Sequence, residues 1–345
     1  MSSYKRSRYS SSMEELIKQG KLPTGHLLAF EEDGDVCIQI ENYKILVSSE
    51  KLSSGSPVFA AMLNGGFREG MKTPMGDQQV HQLSLPDDDI DLVILFCKVL
   101  YDRQDTIEKP PGGLCWLRLA EFCDKYQCVP ALKTNLEGWM EKSIYYRRSD
   151  NIQDHCSLLL AAYIFDSGDT FNKVSERILK IFRERGWKKN ERLSWYLLMD
   201  HYLVDADLAK AFESKHKFFK KEIENIFTKP FEILKDCTCQ NNPNVRARKA
   251  ASLFERLFNA DLMPENIRKV SVRDIVQRVN NLQEVHCGHY KSCCVYSTKL
   301  KESLQQEMRW IEASGIGLCL NCLKRFQNGH CPSHPPAKIP ISRYF

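Results

Sequence analysis

Long apolar runs are missing from this chain. Leu92 to Cys97 is an uninterrupted stretch of six residues and Leu158 to Phe165 one of eight, far short of the roughly 18 that a membrane-spanning helix needs. No membrane anchor is expected. The opening Met1 to Ser12 is basic and serine-rich and lacks the apolar centre of a secretory signal. The sequence therefore predicts a flexible amino-terminal segment over residues 1–30 and an intracellular chain, with nucleus and cytoplasm both open. Charge of one sign is also lacking. Forty-nine basic residues against 44 acidic ones leave a net charge of +5, too mild to imply nucleic acid or a membrane surface as partner. Catalytic signatures are absent as well: there is no phosphate loop, dinucleotide fingerprint, nucleophile elbow or His-Glu-x-x-His. Asp154-His155-Cys156 sets a histidine beside a cysteine, but neighbours in sequence are not a dyad, and the apolar run after them reads as a helix. No enzyme is expected.

Cysteine is what the chain has in excess, with 14. In a reducing compartment these would be thiols or metal ligands rather than disulfides. Cys37, Cys97, Cys115, Cys123, Cys128 and Cys156 are scattered over the first 236 residues. Cys237, Cys239, Cys287, Cys293, Cys294, Cys319, Cys322 and Cys331 crowd the rest, joined by His286, His289, His330 and His334. The front and back of the chain are thus expected to be stabilised differently.

In the front half, Asp35 to Glu41 alternates, with Val36, Ile38 and Ile40 on one side, and predicts a half-buried strand. A turn at Glu41-Asn42 and the run Tyr43 to Val47 make it a hairpin. Cys37 is read as a packing residue. Ser56-Pro57 opens a helix, with serine as cap and proline where no N–H is lost. Phe59, Met62 and Leu63 form its apolar face, and Gly65-Gly66 ends it. Val80 to Leu85 predicts a third strand. Asp87-Asp88-Asp89 then starts a helix in which the carboxylates favour the positive end of the dipole, so they are read as a cap and not a metal site. Helices follow over Leu114 to Tyr126 and Ala131 to Tyr146. The order hairpin, helix, strand, helices is that of an α+β domain.

These residues resemble a BTB/POZ domain, in its fungal form, from about Gly34 to Trp139. The resemblance lies in six blocks: Asp35-Val36; Val47-Ser48-Ser49 to Leu52; Ser56-Pro57-Val58-Phe59-Ala60-Ala61-Met62-Leu63; Phe67-Arg68-Glu69-Gly70; Leu85-Pro86-Asp87-Asp88-Asp89; and Leu119 to Cys128. Animal members place a histidine four residues before the leucine matching Leu52; here that position is Ser48. The resemblance implies a small sheet capped by helices, without an active site, acting in protein–protein assembly. Homodimers and cullin scaffolds are the partners it implies, the latter in ubiquitin ligase assemblies.

The back half reads as helical. Ser157 to Phe165, Phe171 to Phe182, Arg192 to Tyr202, Asp207 to Phe219, Val245 to Leu262 and Val272 to Leu282 carry apolar residues three and four apart. Lys215 to Lys221 mixes basic and aromatic residues, with Arg246, Arg248 and Lys249 beyond. Phe218 and Phe219 are expected on a buried face.

A Cys/His constellation closes the chain. Cys319-Leu320-Asn321-Cys322 is a knuckle of the kind that gives two thiolates to one tetrahedral ion. Cys331 and His334 extend it to C-x2-C-x8-C-x2-H. Upstream, Cys287-Gly288-His289 stands near Cys293-Cys294, and a helix over about Ser297 to Glu312 joins the clusters. Glycine, asparagine, lysine and serine surround these residues, so a buried-thiol reading is poor. A redox role for Cys319 and Cys322 is the rival, but no βαβ pattern precedes them. The expected ligands are Cys287, His289, Cys294, Cys319, Cys322, Cys331 and His334, holding structural Zn2+. They serve one ion shared by the upstream knuckle and Cys319/Cys322, or two ions, the second closed by Cys331 and His334. The tails of fungal BTB proteins often carry a Gly-Leu-Cys-Leu-x-Cys stretch like Gly317 to Cys322, and that resemblance marks Cys319 and Cys322 as the surest ligands.

The expected organisation is a BTB/POZ domain over 31–147, a helical region over 150–285, and a zinc-binding tail over 286–345 packed with it. The expected function is a non-enzymatic adaptor. The competing reading is a nucleic-acid-associated transcriptional regulator that uses the basic helices and the Cys/His region, though nucleic acid is not the expected partner.

Overall fold

A computed structural model of the chain describes residues 27–66, 71–75, 78–103, 115–146, 152–181, 201, 206–236, 243–282, 295–313 and 315–324. The chain divides into two compact units, Met1–Arg147 and Arg148–Phe345, and the fold is α+β. No described helix is long and apolar enough to cross a membrane.

The first unit is built on a five-stranded mixed sheet. Its strands are β1 (Leu27–Ala29), β2 (Val36–Ile40), β3 (Tyr43–Val47), β4 (Lys72–Met75) and β5 (Gln78–Ser84), in spatial order β1-β3-β2-β5-β4. β2 and β3 form the antiparallel hairpin read from the sequence, with Ile38 opposite Ile45 and Glu41 at the positive φ of a tight turn. β1 runs parallel to β3. Residues 27–29, assigned by sequence to the flexible segment 1–30, are therefore part of the sheet. β5 lies parallel to β2, and β4 adds an antiparallel edge.

Because β2 is central, it is buried on both faces at its start. Val36, Ile38 and Ile40 face the main core, while Cys37 packs with Leu46 and Val80 on the other side. The expected half-buried strand is corrected to that extent.

Helices α1 (Ser49–Gly55), α2 (Pro57–Asn64), α3 (Ile90–Leu100), α4 (Cys115–Tyr126) and α5 (Val129–Tyr146) complete the unit. Ser56 caps α2 by accepting the Phe59 N–H, and Asp89 caps α3 by accepting the Asp91 N–H. An aromatic cluster ties three helices together. The Phe59 and Tyr126 rings stack at 4.3 Å, Phe96 lies 6.1 Å from Phe59, and Phe122 meets both Phe96 and Tyr126. Such pairs add about 0.5–1.5 kcal/mol each beyond area burial.

The second unit is helical where described. It comprises α6 (Ile152–Ile164), α7 (Gly168–Ile181), α8 (Ala206–Asp236), α9 (Pro243–Asn259), α10 (Pro264–Ile267), α11 (Val272–Asn280), α12 (Val295–Ala313) and α13 (Leu320–Lys324). The helix expected over Arg192 to Tyr202 lies outside the described residues except at its penultimate position, 201. Buried Leu208, Phe212, Phe219, Ile223 and Phe227 run down one side of α8, which continues 17 residues past the expected end at Phe219. α11 opens with a reciprocal capping box between Ser271 and Asp274. Leu300, Leu304, Met308 and Ile311 form the buried stripe of α12.

Candidate functional site

In the first unit, the residues that carry the family resemblance bond to one another. Asp35 accepts the Ser49 N–H at 2.7 Å and the Ser49 hydroxyl at 2.8 Å. Burial opposes the Asp35 charge, but these bonds and Lys72 at 3.8 Å outweigh it, so the carboxyl sits below its ordinary value. Buried Ser56 donates its hydroxyl to the Tyr126 carbonyl at 2.5 Å. Tyr126 in turn donates its phenol to Asp88 at 2.7 Å, and Lys125 pairs with the same carboxylate at 2.8 Å. Of the expected cap residues, Asp89 caps α3, while Asp88 is taken up by Tyr126 and Lys125. Ser48 caps α1 by accepting the Lys51 N–H and gives its own N–H to the Tyr101 hydroxyl at 2.7 Å. The fourth block, residues 67–70, lies outside the described residues.

The cysteines of the front half behave as apolar side chains. Cys37, Cys97, Cys123, Cys128 and Cys156 are buried; Cys115 is only half-buried. Burial pushes the Cys97 thiol up to about 12 and raises that of Cys156. A hydrogen bond with Cys128, then burial, raises Cys123. Cys97, Cys123 and Cys156 are thus held away from ionisation near neutral pH.

Cys319 and Cys322 are different. Both are half-exposed, on a short segment pinned to α6 and α7. The Leu318 N–H donates to Ser175 Oγ at 2.7 Å, and Asn172 Nδ2 donates to the Leu318 carbonyl at 3.3 Å. Ser175 is itself fixed, donating to the Asn172 carbonyl at 2.9 Å. Gly317 crosses this point so closely that a Cβ there would stand 2.2 Å from the Asn172 carbonyl oxygen. Ile316, Leu318 and Leu320 are buried beneath. At the far end, Lys324 donates to the Tyr163 carbonyl at 2.6 Å and pairs with Asp166 at 3.2 Å. Between these anchors Cys319 precedes α13, its carbonyl accepting the Leu323 N–H, and Cys322 follows within the first turn.

Two thiols on a fixed turn are half of a tetrahedral donor set. Cys287, His289, Cys294, Cys331 and His334 lie outside the described residues. Among the described residues, no group of three or more His, Cys, Asp or Glu is placed to hold a metal ion. The sequence did not single out Asn172 or Ser175 as anchors; nothing in their α7 pattern distinguishes them.

The basic cluster is split by its helix. His216, Phe219 and Lys220 are buried, leaving Lys217, Phe218 and Lys221 outside. The expectation that Phe218 and Phe219 share a buried face is half wrong: Phe219 is 3% exposed and Phe218 48%. Adjacent residues on a helix point about 100° apart, and Phe218 is the one that turns outward, Phe219 sharing the buried side with Lys220.

Compared with known proteins, the chain matches no family model and no curated relative.

Proposed function

We propose that this chain is a non-enzymatic adaptor. Its first unit is a BTB/POZ-like assembly module, and the end of its second unit is held by structural zinc. The observation that carries the reading is the interlocking of the resemblance blocks. Asp35 holds Ser49, Ser56 holds Tyr126, and Tyr126 holds Asp88, so the matching residues are those on which the domain's geometry rests. Their polar groups are spent on one another, in keeping with a module that binds proteins through its surface and carries no chemistry.

In the tail, Cys319 and Cys322 would supply two thiolates to zinc. Cys287, His289 and Cys294, or Cys331 and His334, would complete one site or two. Zinc bound there would cross-link the tail. The anchors on Asn172, Ser175, Tyr163 and Asp166 lower the ordering cost by holding the first two ligands in place.

The test is assembly. Full-length protein in light scattering at micromolar concentration, with co-purified proteins quantified by mass spectrometry, should give a homodimer or a stoichiometric partner. A strict monomer with no stoichiometric partner overturns the reading. The exposed Lys217-Phe218 pair supports a second reading, nucleic-acid association. It predicts a gel shift that weakens steeply with salt, and no shift at low salt removes it.

A further inference from the structure

The outward face of α9 is unlike that of an ordinary solvated helix. Phe254 is 48% exposed and Phe258 60%, and their rings stack on each other at 6.0 Å with 15° between planes. Two small exposed residues, Ala247 and Ala251, continue the strip toward the amino end. At 100° per residue these four side chains fall within about 60° of one another, and the buried Leu253 and Leu257 lie about 90–130° round the helix from their centre. The helix therefore presents a two-turn ridge of phenylalanine followed by a two-turn trough of alanine. Arg248 and Glu255 lie along one flank of the strip, both exposed. Among the described residues neither side chain has an ion pair or hydrogen bond. Seven positions apart, they are about 10 Å distant along the axis and cannot pair with each other.

We infer that this face docks against the same face of a second copy of the chain, the two α9 helices lying antiparallel about a two-fold axis. The pattern is self-complementary under that one operation. If Phe254 of one copy meets Ala251 of the other, Phe258 meets Ala247, because both pairs share a midpoint between Ser252 and Leu253. Large side chains then fill the spaces over small ones, twice. The same operation keeps the charged flanks on one side. It brings Arg248 of each copy within about 3 Å, measured along the axis, of Glu255 of the other, within reach of an arginine side chain. A parallel pairing about a two-fold axis would set phenylalanine on phenylalanine and carry the two charged flanks to opposite sides, where they could not pair.

One helix pair buries less than the roughly 1,200 Å² of a stable interface. The association should therefore be weak, with a dissociation constant of about 10–500 µM. It is independent of any dimer made through the first unit, and would join such dimers into larger assemblies.

Sedimentation of the full chain from about 5 to 500 µM reads it out, circular dichroism confirming that each variant is folded. The wild type should show a concentration-dependent step, lost in the Phe254→Glu/Phe258→Glu double variant. Arg248→Glu and Glu255→Arg should each weaken it about five-fold, and the two together should restore it, since every copy then offers the reversed pair. An assembly through the first unit would survive all four variants, so loss of that assembly and loss of this step are separable. The inference is overturned if the wild type shows no step beyond the first unit's assembly, or if the phenylalanine variant leaves the step unchanged. It is equally overturned if the charge double variant stays as weak as the singles, which would mark the face as a site for a different protein.

Discussion

His216 and Lys220 sit one turn apart on the buried side of α8. Lys220 donates to the Ile267 carbonyl at 3.1 Å and to the Val270 carbonyl, so a buried ammonium closes the end of α10. Burial first, and the Lys220 charge second, bring His216 down to about 4. An unfolded histidine titrates near 6.5, so between about 4 and 6.5 the unfolded chain holds the extra proton, and folding stability falls as pH is lowered through that window. The whole effect is about 3 kcal/mol, of which somewhat under half is gone by pH 5.5. Melting of the second unit at pH 7.5, 6.5 and 5.5 should show this loss in the wild type and a clearly smaller one in His216→Gln. Equal slopes would exclude His216 as its source. These residues show how far single positions are legible. Lys215 to Lys221 announces charge, but only the helix decides which members face water. The run that reads as a basic patch contains a structural cation, a neutral histidine and one exposed aromatic.

At the scale of elements, period-3.6 stripes made most helices visible, because burial of one face is what writes the pattern. Where an element was too short for its period to register, or its buried stripe ran on through a charged stretch, the reading failed. β1 has three residues and β4 four, too short for alternation to register. α8 was cut at Phe219 although Ile223 and Phe227 continue its buried stripe, and Pro230 lies within it. α1 has only Leu52 and Gly55 buried, and is held by Ser48 instead. The knuckle was legible as a motif, its docking was not: Gly317 could equally have been a loop glycine. The docking makes a sharp claim about Gly317→Ala. A methyl group 2.2 Å from the Asn172 carbonyl collides with backbone that cannot swing aside, so residues 316–324 must lift away. The expected cost is about 1–3 kcal/mol. Hydrogen exchange should show lost protection at Leu318 and Leu323 with unchanged rates across β2 and β3; native protection at Leu318 would mean that the contact relaxes freely.

For the whole molecule, the division at 147/148 separates two ways of building a stable unit from a cysteine-rich chain. The first unit buries Cys37, Cys97, Cys123 and Cys128, and burial raises the Cys97 thiol, which keeps it protonated and a poor ligand. The second unit ends in a segment whose described part contributes three buried apolar side chains, Ile316, Leu318 and Leu320, to its helices, with two half-exposed thiols beside them. If zinc is what holds the rest of that segment, its binding energy enters the stability of this unit alone. Purified protein dialysed free of loose metal should then carry one or two zinc ions per chain by elemental analysis, and less than about 0.3 per chain defeats the proposal. Adding a high-affinity chelator should lower the melting transition of the helical unit while the exchange-protected amides of β2, β3 and α3 keep their rates. Cys319→Ser should reproduce the effect without chelator, whereas Cys97→Ser should leave the zinc content unchanged. Equal destabilisation of both units would mean that the metal is not confined to the carboxyl-terminal cysteines, and that the two halves are not stabilised separately.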